Sequence, residues 1–265
     1  MSPPFTARLK SRALVGVSGP DWRPFLQGLL TNSVEDIADG AAKFAGLLTP
    51  QGRLLFDLFV VGRGDGCLLD VEASLRAALI QRLAMYRLRA KVAIEPSDQP
   101  VYFSTDPEPA GEGWVADPRL ASHGFRGYGD PARSFEDEQA YENHRLNAGL
   151  PGSADWGSDR TYPIEANFDL LNGIDFKKGC FVGQETTSRM HRRGQAKSRM
   201  LPIAFAGPPP APGTEILAGE LRAGEVRSGI PGRAIALLRL DRIEGVELTA
   251  AGTPVRAVYP DWFKP

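Results

Sequence analysis

The stretch Asp175–Gly194 reads DFKKGCFVGQETTSRMHRRG. Cys180 follows Lys177, Lys178 and Gly179, and precedes Phe181-Val182-Gly183 and the cations Arg189, Arg192 and Arg193. From Lys177 to Arg199 there are seven basic side chains and one acid, Glu185, a local charge of +6. Charge of that sign attracts a polyanion: an oligocarboxylate, a phosphate or a nucleic acid. A solvated basic face is an equally open reading of the charge alone. Gly179 lets the backbone turn sharply beside the thiol, and neighbouring lysines favour the thiolate. That combination suits a soft metal or cluster ligand, or a redox-sensitive thiol. Against it stands the ordinary fate of a free cysteine, a small buried hydrophobe. One cysteine also cannot enclose a metal by itself.

The rest of the chain sets the frame. Its 265 residues favour two or three lobes sharing a surface. Basic and acidic residues number 31 and 32, so no global charge points to nucleic acid or membrane. Cys67 and Cys180 are the two cysteines, which exclude a disulfide framework and a CxxC zinc site and fit a reducing compartment. No apolar run reaches the roughly 18 residues of a membrane span. The N-terminus lacks a secretory apolar core. A bacterial-type cytoplasm is the expected compartment. The cations Arg8, Lys10 and Arg12, with no acid before Asp21, make the mitochondrial matrix the second choice.

Element signals run through the chain. RALVGVSG (12–19) reads as a first strand. Trp22, Phe25, Leu26, Leu29 and Leu30 have helical spacing that stops at Thr31-Asn32. Residues 43–61 predict two strands around a Pro50-Gln51-Gly52 turn, and VGRGDGC (61–67) predicts a second hairpin turn rather than a dinucleotide loop. Leu75, Leu79, Leu83 and Tyr86 mark an amphipathic helix. Short strands among Pro and Gly follow, and then a helix opened by a Ser134/Asp137 capping box. AFAGPPPAPGTEI (204–216) is a linker or turn, and the alternating runs after it predict a small antiparallel barrel or sandwich. The fold class is α+β. The expected lobes are 1–96, 97–198 and 199–265.

Other residues carry weaker chemistry. Glu165, in YPIEANFDLLNG, is an acid in an apolar run. A pocket carboxylate facing the vicinal N–H donors of a heterocycle and a helix-surface glutamate are both open. His123, His144 and His191 have no context that marks a catalytic base and read as surface or helix residues. Cys67 reads as strand core.

KGCFVGQE, Lys178–Glu185, resembles the K-G-C-[FY]-x-G-Q-E signature of the YgfZ-type folate-binding proteins, relatives of the glycine-cleavage T-protein (GcvT). The likeness extends over most of the chain, through FLQGLLTNSVED, AGLLTPQGRLLFDLFVV, MYRLRAKVAI, the approach to the signature and GEVRS. It implies three lobes around a central channel for tetrahydrofolate, closed by a small C-terminal β-barrel. It implies that Glu165 contacts the pterin and that Lys178, Gly179, Phe181, Gly183, Gln184, Glu185 and Arg189 belong to the cofactor site. The basic segment then meets the folate tail instead of nucleic acid. The T-protein has adjacent aspartates where this chain has Phe56-Asp57, and F-x-G-R-E where it has F-V-G-Q-E. Both departures speak against aminomethyl transfer, for which Asp57 is the remaining hairpin acid. The resemblance implies instead a late role in iron–sulfur cluster assembly or repair, serving [4Fe-4S] and radical-SAM enzymes. Cys180 would be the reactive thiol and one ligand of a cluster shared transiently with a partner. The expected partners are folate, assembly proteins and client enzymes, and the expected state is a monomer.

Overall fold

The structure is a computed structural model that describes residues 3–129, 135–192, 194 and 196–264. The first part runs β1 (Thr6–Arg8), β2 (Arg12–Ser18), α1 (Trp22–Gln27), β3 (Ala42–Leu48), β4 (Leu54–Arg63), β5 (Gly66–Glu72), α2 (Arg76–Arg87) and β6 (Ala93–Ser97). There follow β7 (Val101–Ser104), β8 (Trp114–Ala116), β9 (Phe125–Tyr128), α3 (Glu138–Asn147), α4 (Ser153–Trp156) and α5 (Gln184–Arg192). The last part holds β10 (Ser198–Ala204), β11 (Glu215–Ala218), β12 (Leu221–Ile230), β13 (Arg233–Arg239), β14 (Leu248–Ala250) and β15 (Thr253–Ala257).

Among the described residues β3-β4-β5-β2-β6 form an antiparallel sheet. The apolar run of β4 is explained by burial on both faces. Phe56, Leu58 and Val60 join the core under α1 and α2, with Leu26, Leu29, Leu79 and Leu83. The alternate residues, Asp57 and Phe59, face the middle of the molecule and line a central cavity. The hairpin turns as expected at Gly52, whose φ of +86° favours glycine.

The second sheet is ordered β1-β7-β9-β8. Strand β1 lies at the start of the chain, yet it pairs with β7, Thr6 opposite Ser104, and so leaves the lobe that sequence order suggests. Strands β10-β13-β12-β11-β14-β15 close into a barrel where Ile203 of β10 pairs with Ala257 of β15. Its interior is filled by Leu201, Ile203, Ile216, Val226, Ala234, Ala236 and Leu238. The Pro-rich 205–214 segment is the β10–β11 connection. A third core joins the hairpin (Phe44, Leu54, Phe59), the 164–181 segment (Ile164, Phe168, Phe181) and the barrel (Met200, Ile235).

Three expectations change. Helix α1 stops at Gln27, short of Leu29 and Leu30. The Thr31 hydroxyl binds Gly46 N–H and Gly173 C=O at 2.7 and 2.6 Å, which draws the chain into the core instead of onward as helix. Ser134 lies outside the described residues; the cap of α3 is Asp137, which accepts the Gln139 N–H at 2.9 Å. His123 is not a surface residue: it is buried and stacks on His144 with ring centroids 4.6 Å apart.

Candidate functional site

The Cys180 loop is held from both sides and open at its centre. Lys178 turns inward, and its ammonium donates to the carbonyls of Gln27, Leu30 and Asn32 at 2.8, 2.6 and 3.0 Å. It thereby closes the C-terminal end of α1, where carbonyls lack partners and a cation is favoured. Burial pushes its pKa down to about 8. The next backbone anchor is Val182 N–H to Gly28 C=O at 3.3 Å, and Phe181 is buried in the third core. Gly183, at φ +81°, lies against the β3–β4 hairpin: a Cβ there would sit 2.6 Å from the Thr49 carbonyl oxygen. The signature and the Thr49–Gly52 turn are therefore one packed unit, and α5 starts at Gln184 directly after it. Gly179 and Cys180 project from this frame and are exposed.

The basic segment divides. Lys178 and Arg199 are internal. Arg199 forks onto Asp169 at 2.6 and 2.9 Å and also binds Ile164 C=O. Lys177, Arg189, Arg192 and Lys197 are exposed, as is Glu185, while Arg193 lies outside the described residues. His191 stacks on Phe176 at 3.7 Å. The sequence count of +6 thus overstates the surface charge, because two of its cations serve the interior.

A cavity of about 200 Å³ opens where the two sheets and α3–α4 meet, lined in part by Arg12, Asp57, Phe59, Glu72, Tyr141 and Ser153. Both Asp57 oxygens are engaged, one by Arg12 at 2.8 Å and one by the Ser153 hydroxyl at 2.6 Å. Behind it Asp70, fully buried, accepts from Arg12 Nε at 2.6 Å, Arg126 Nη2 at 2.6 Å and Tyr128 Oη at 3.0 Å. Burial works against its charge, but Arg12 and Arg126 hold its pKa below the ordinary carboxylate range. Arg126 lies over the Phe59 ring at 3.7 Å. Arg145 bridges Asp155, Glu142 and the Leu150 carbonyl, and Asp155 also accepts from Ser228 of β12, tying the barrel to the cavity wall. The Glu72 carboxylate makes no hydrogen bond or ion pair among the described residues. Burial, together with Asp57, Glu138 and Glu142, pushes its pKa up.

The structure separates residues that the sequence groups together. Asp57 is on the cavity wall. Glu165 is not among that cavity's lining residues; its carboxylate accepts the Tyr162 N–H at 3.0 Å, and burial raises its pKa. Cys67 is strand core, its thiol pushed up to about 12 by burial. Sequence reading misses Arg12, Asp70, Glu72, Arg126 and Arg145. The signal available for Asp70 and Arg126 was a charged residue inside a short strand, which must be paired if buried.

Comparison with known proteins agrees with this geometry. The mitochondrial iron–sulfur cluster assembly factor IBA57 of Mus musculus is 34% identical over 302 residues, covering 97% of this chain and 84% of the relative. This chain belongs to the IBA57 family. Human IBA57 is 33% identical, with the same coverage of both chains. The family model described as the CAF17 C-terminal beta-barrel domain matches residues 197–265, the segment that closes into the barrel. The glycine cleavage system aminomethyltransferase T of Bartonella henselae superposes with a TM-score of 0.79, covering 98% of this chain and 86% of its own, at 17% identity. The α+β fold of this IBA57 relative is thus that of the T-protein, with a C-terminal barrel.

Proposed function

We propose that this chain is an accessory protein of iron–sulfur cluster assembly, supporting [4Fe-4S] and radical-SAM enzymes, in which Cys180 offers a thiolate to a cluster that a partner completes. The observation that carries the reading is the geometry of the loop. An exposed thiol stands on a segment fixed by a buried lysine, a buried phenylalanine and a glycine packed on the hairpin. One cysteine cannot enclose a metal by itself, so in this reading the cluster is cargo whose other ligands a partner supplies. Names of the relatives support the role. The engagement of both Asp57 oxygens favours an accessory protein over a one-carbon transferase. Among the described residues no helix is long and apolar enough to cross a membrane. The compartment we propose is a bacterial-type cytoplasm, with the mitochondrial matrix as the alternative, the relatives being named as mitochondrial. Replacing chromosomal Cys180 by Ser leaves the melting temperature unchanged and lowers the activity of cluster-dependent enzymes. Full cluster-enzyme activity in that strain refutes the role.

Folate is the second part of the proposal. At about 200 Å³ the cavity is smaller than the roughly 300–1,000 Å³ of pockets that enclose drug-sized ligands, so in this reading it takes only the ring system and leaves the tail outside. Phe59 and Tyr141 supply walls, and Glu72 is the cavity carboxylate free to face paired N–H donors. Glu165 is the carboxylate the family resemblance assigns to that task. Exposed Arg189 and Lys177 are the cations nearest in sequence to the signature for a polyglutamate tail. Anaerobic calorimetry of tetrahydrofolate with Glu72→Gln and Glu165→Gln decides between them. Loss in one variant names the pterin carboxylate, and no binding to the wild-type chain ends the folate reading.

A further inference from the structure

The C-terminal end of α2 presents an apolar tip in a basic field. Leu88 is 88% exposed and Met85 65% exposed, the two most exposed large apolar side chains among the described residues. Residues 76–91 carry Arg76, Arg82, Arg87, Arg89 and Lys91 and no acid, in a chain of net charge −1. Arg76 is paired with Asp98; Arg82, Arg87, Arg89 and Lys91 are in no ion pair among the described residues. A basic last turn suits the helix dipole, but that does not account for Leu88.

Leu88 is also strained. Its φ of +42° and ψ of −105° lie outside the regions a branched residue adopts freely. The turn around it is fixed: Ala90 N–H binds Arg87 C=O at 2.7 Å, Lys91 N–H binds the Asp21 carboxylate at 2.7 Å, and a Cβ on Gly19 would meet the Lys91 carbonyl oxygen at 2.5 Å. Glycine would serve this backbone without strain. A branched apolar residue in this conformation, almost wholly in water, points to a contact outside the chain.

The tip stands at one end of α1 and the Cys180 loop at the other. Asp21, the N-cap of α1, holds Lys91, while Gln27 and Gly28 at its far end hold Lys178 and Val182. Six residues at 1.5 Å each put about 9 Å of helix between these anchors. Both anchors fall within the span of one protein–protein interface of about 800 Å² per partner.

We propose that the α2 tip is a docking surface for an acidic protein segment carrying apolar side chains, which seats on Leu88 and Met85 and brings that partner against Cys180. The inference rests on the assembly role proposed above. Charge complementarity selects an acidic occupant. A membrane is disfavoured because the main apolar stripe of α2, Leu79 and Leu83, is in the core rather than available to lipid. A second copy would set one basic patch against another. Single-stranded nucleic acid stacks on exposed aromatic side chains, and residues 76–91 present none.

The test is photo-crosslinking in cells that carry the full chain. p-Benzoylphenylalanine is placed at position 85 in one strain and at position 177, beside the Cys180 loop, in another. The same protein is expected in both adducts, joined at position 85 through a segment of net negative charge. Arg87→Glu/Arg89→Glu and Leu88→Gly each cut the position-85 adduct roughly tenfold, while melting temperature holds or, for Leu88→Gly, rises. Adducts with no protein in common, or adduct yield unchanged by charge reversal, overturn the proposal. So does charge-reversal-sensitive binding of the purified chain to phosphatidylserine-containing vesicles, to a single-stranded RNA oligonucleotide or to itself. The two readings separate cleanly. Full cluster-enzyme activity in the Cys180→Ser strain with the shared acidic partner still captured defeats the assembly role and leaves the docking surface. Loss of activity in Cys180→Ser, with Arg87→Glu/Arg89→Glu changing neither adduct nor activity, does the reverse.

Discussion

Lys177 and Lys178 are adjacent, alike in chemistry and opposite in fate, and their comparison tests the central claim about the loop. Lys178→Met keeps most of the apolar stem and removes the ammonium. Three carbonyls then lose their donor: Gln27, Leu30 and Asn32. Those of Gln27 and Asn32 are in part-buried bonds and can turn to water, whereas the Leu30 bond is buried. A hydrogen bond to a charged group contributes about 1.5–3 kcal/mol net, and a buried acceptor left alone costs about 1–3 kcal/mol. Relief from burying an ammonium offsets part of the loss, and a net destabilisation of about 2–4 kcal/mol remains. At this chain length that lowers the melting temperature by roughly 5–12 °C. Lys177 is exposed, so Lys177→Met shifts stability by less than about 0.5 kcal/mol. The assay is urea denaturation with calorimetry on both variants. Because the folded pKa of Lys178 is depressed to about 8, the folded chain releases its proton before the unfolded one. The wild-type chain therefore gains stability relative to Lys178→Met as pH rises from 8 toward 10. Equal stability of the two variants at pH 7 would show that the Lys178 ammonium lies in solvent and that the loop is not braced as described.

Two further tests concern the same frame. Gly183→Ala meets both a positive φ and the Thr49 carbonyl oxygen at 2.6 Å, and is expected to cost at least about 2 kcal/mol; Gly179→Ala, with no atom within 4 Å, is expected to change stability by less than about 0.5 kcal/mol, as denaturation midpoints will show. Asp70→Asn leaves Arg12 and Arg126 buried beside an amide that must turn a donor toward one of them, a loss of about 3–5 kcal/mol by denaturation. Asp70 and Asp117, the latter buried and forked by Arg119 at 3.0 and 2.8 Å, both have folded pKa values below their unfolded ones. Their stabilisation is complete above the carboxylate range near 4 and fades as pH falls below it, so an acid titration of the wild-type chain should show stability falling there, and less steeply in Asp70→Asn.

Local order was legible in the sequence, and so was the character of the cysteine loop. Strand β4 shows itself by its apolar run, the hairpin by Pro50-Gln51-Gly52, and the barrel strands by alternation after the Pro-rich connection. These depend on periods of two to four residues and on turn chemistry that acts within the chain's immediate neighbourhood. The α+β class and a small C-terminal barrel or sandwich follow from them; the closure into a barrel is seen only in the packed strands. The same source gave Cys180 its lysine and glycine neighbours. It could not tell Lys178 from Lys177, because that difference rests on carbonyls some 150 residues earlier in the chain. Nor could it assemble Arg12 with Asp57 and Asp70, or Arg145 with Asp155 and Ser228, whose meeting depends on how two sheets and a barrel close on one another. Strand β1 leaves its sequence neighbours for β7, and Glu165 is separated from the cavity that Asp57 lines, for the same reason. Backbone and turn preferences are properties of a few adjacent residues. The pairing of buried charges is a property of distances through space, and only the packed molecule fixes those.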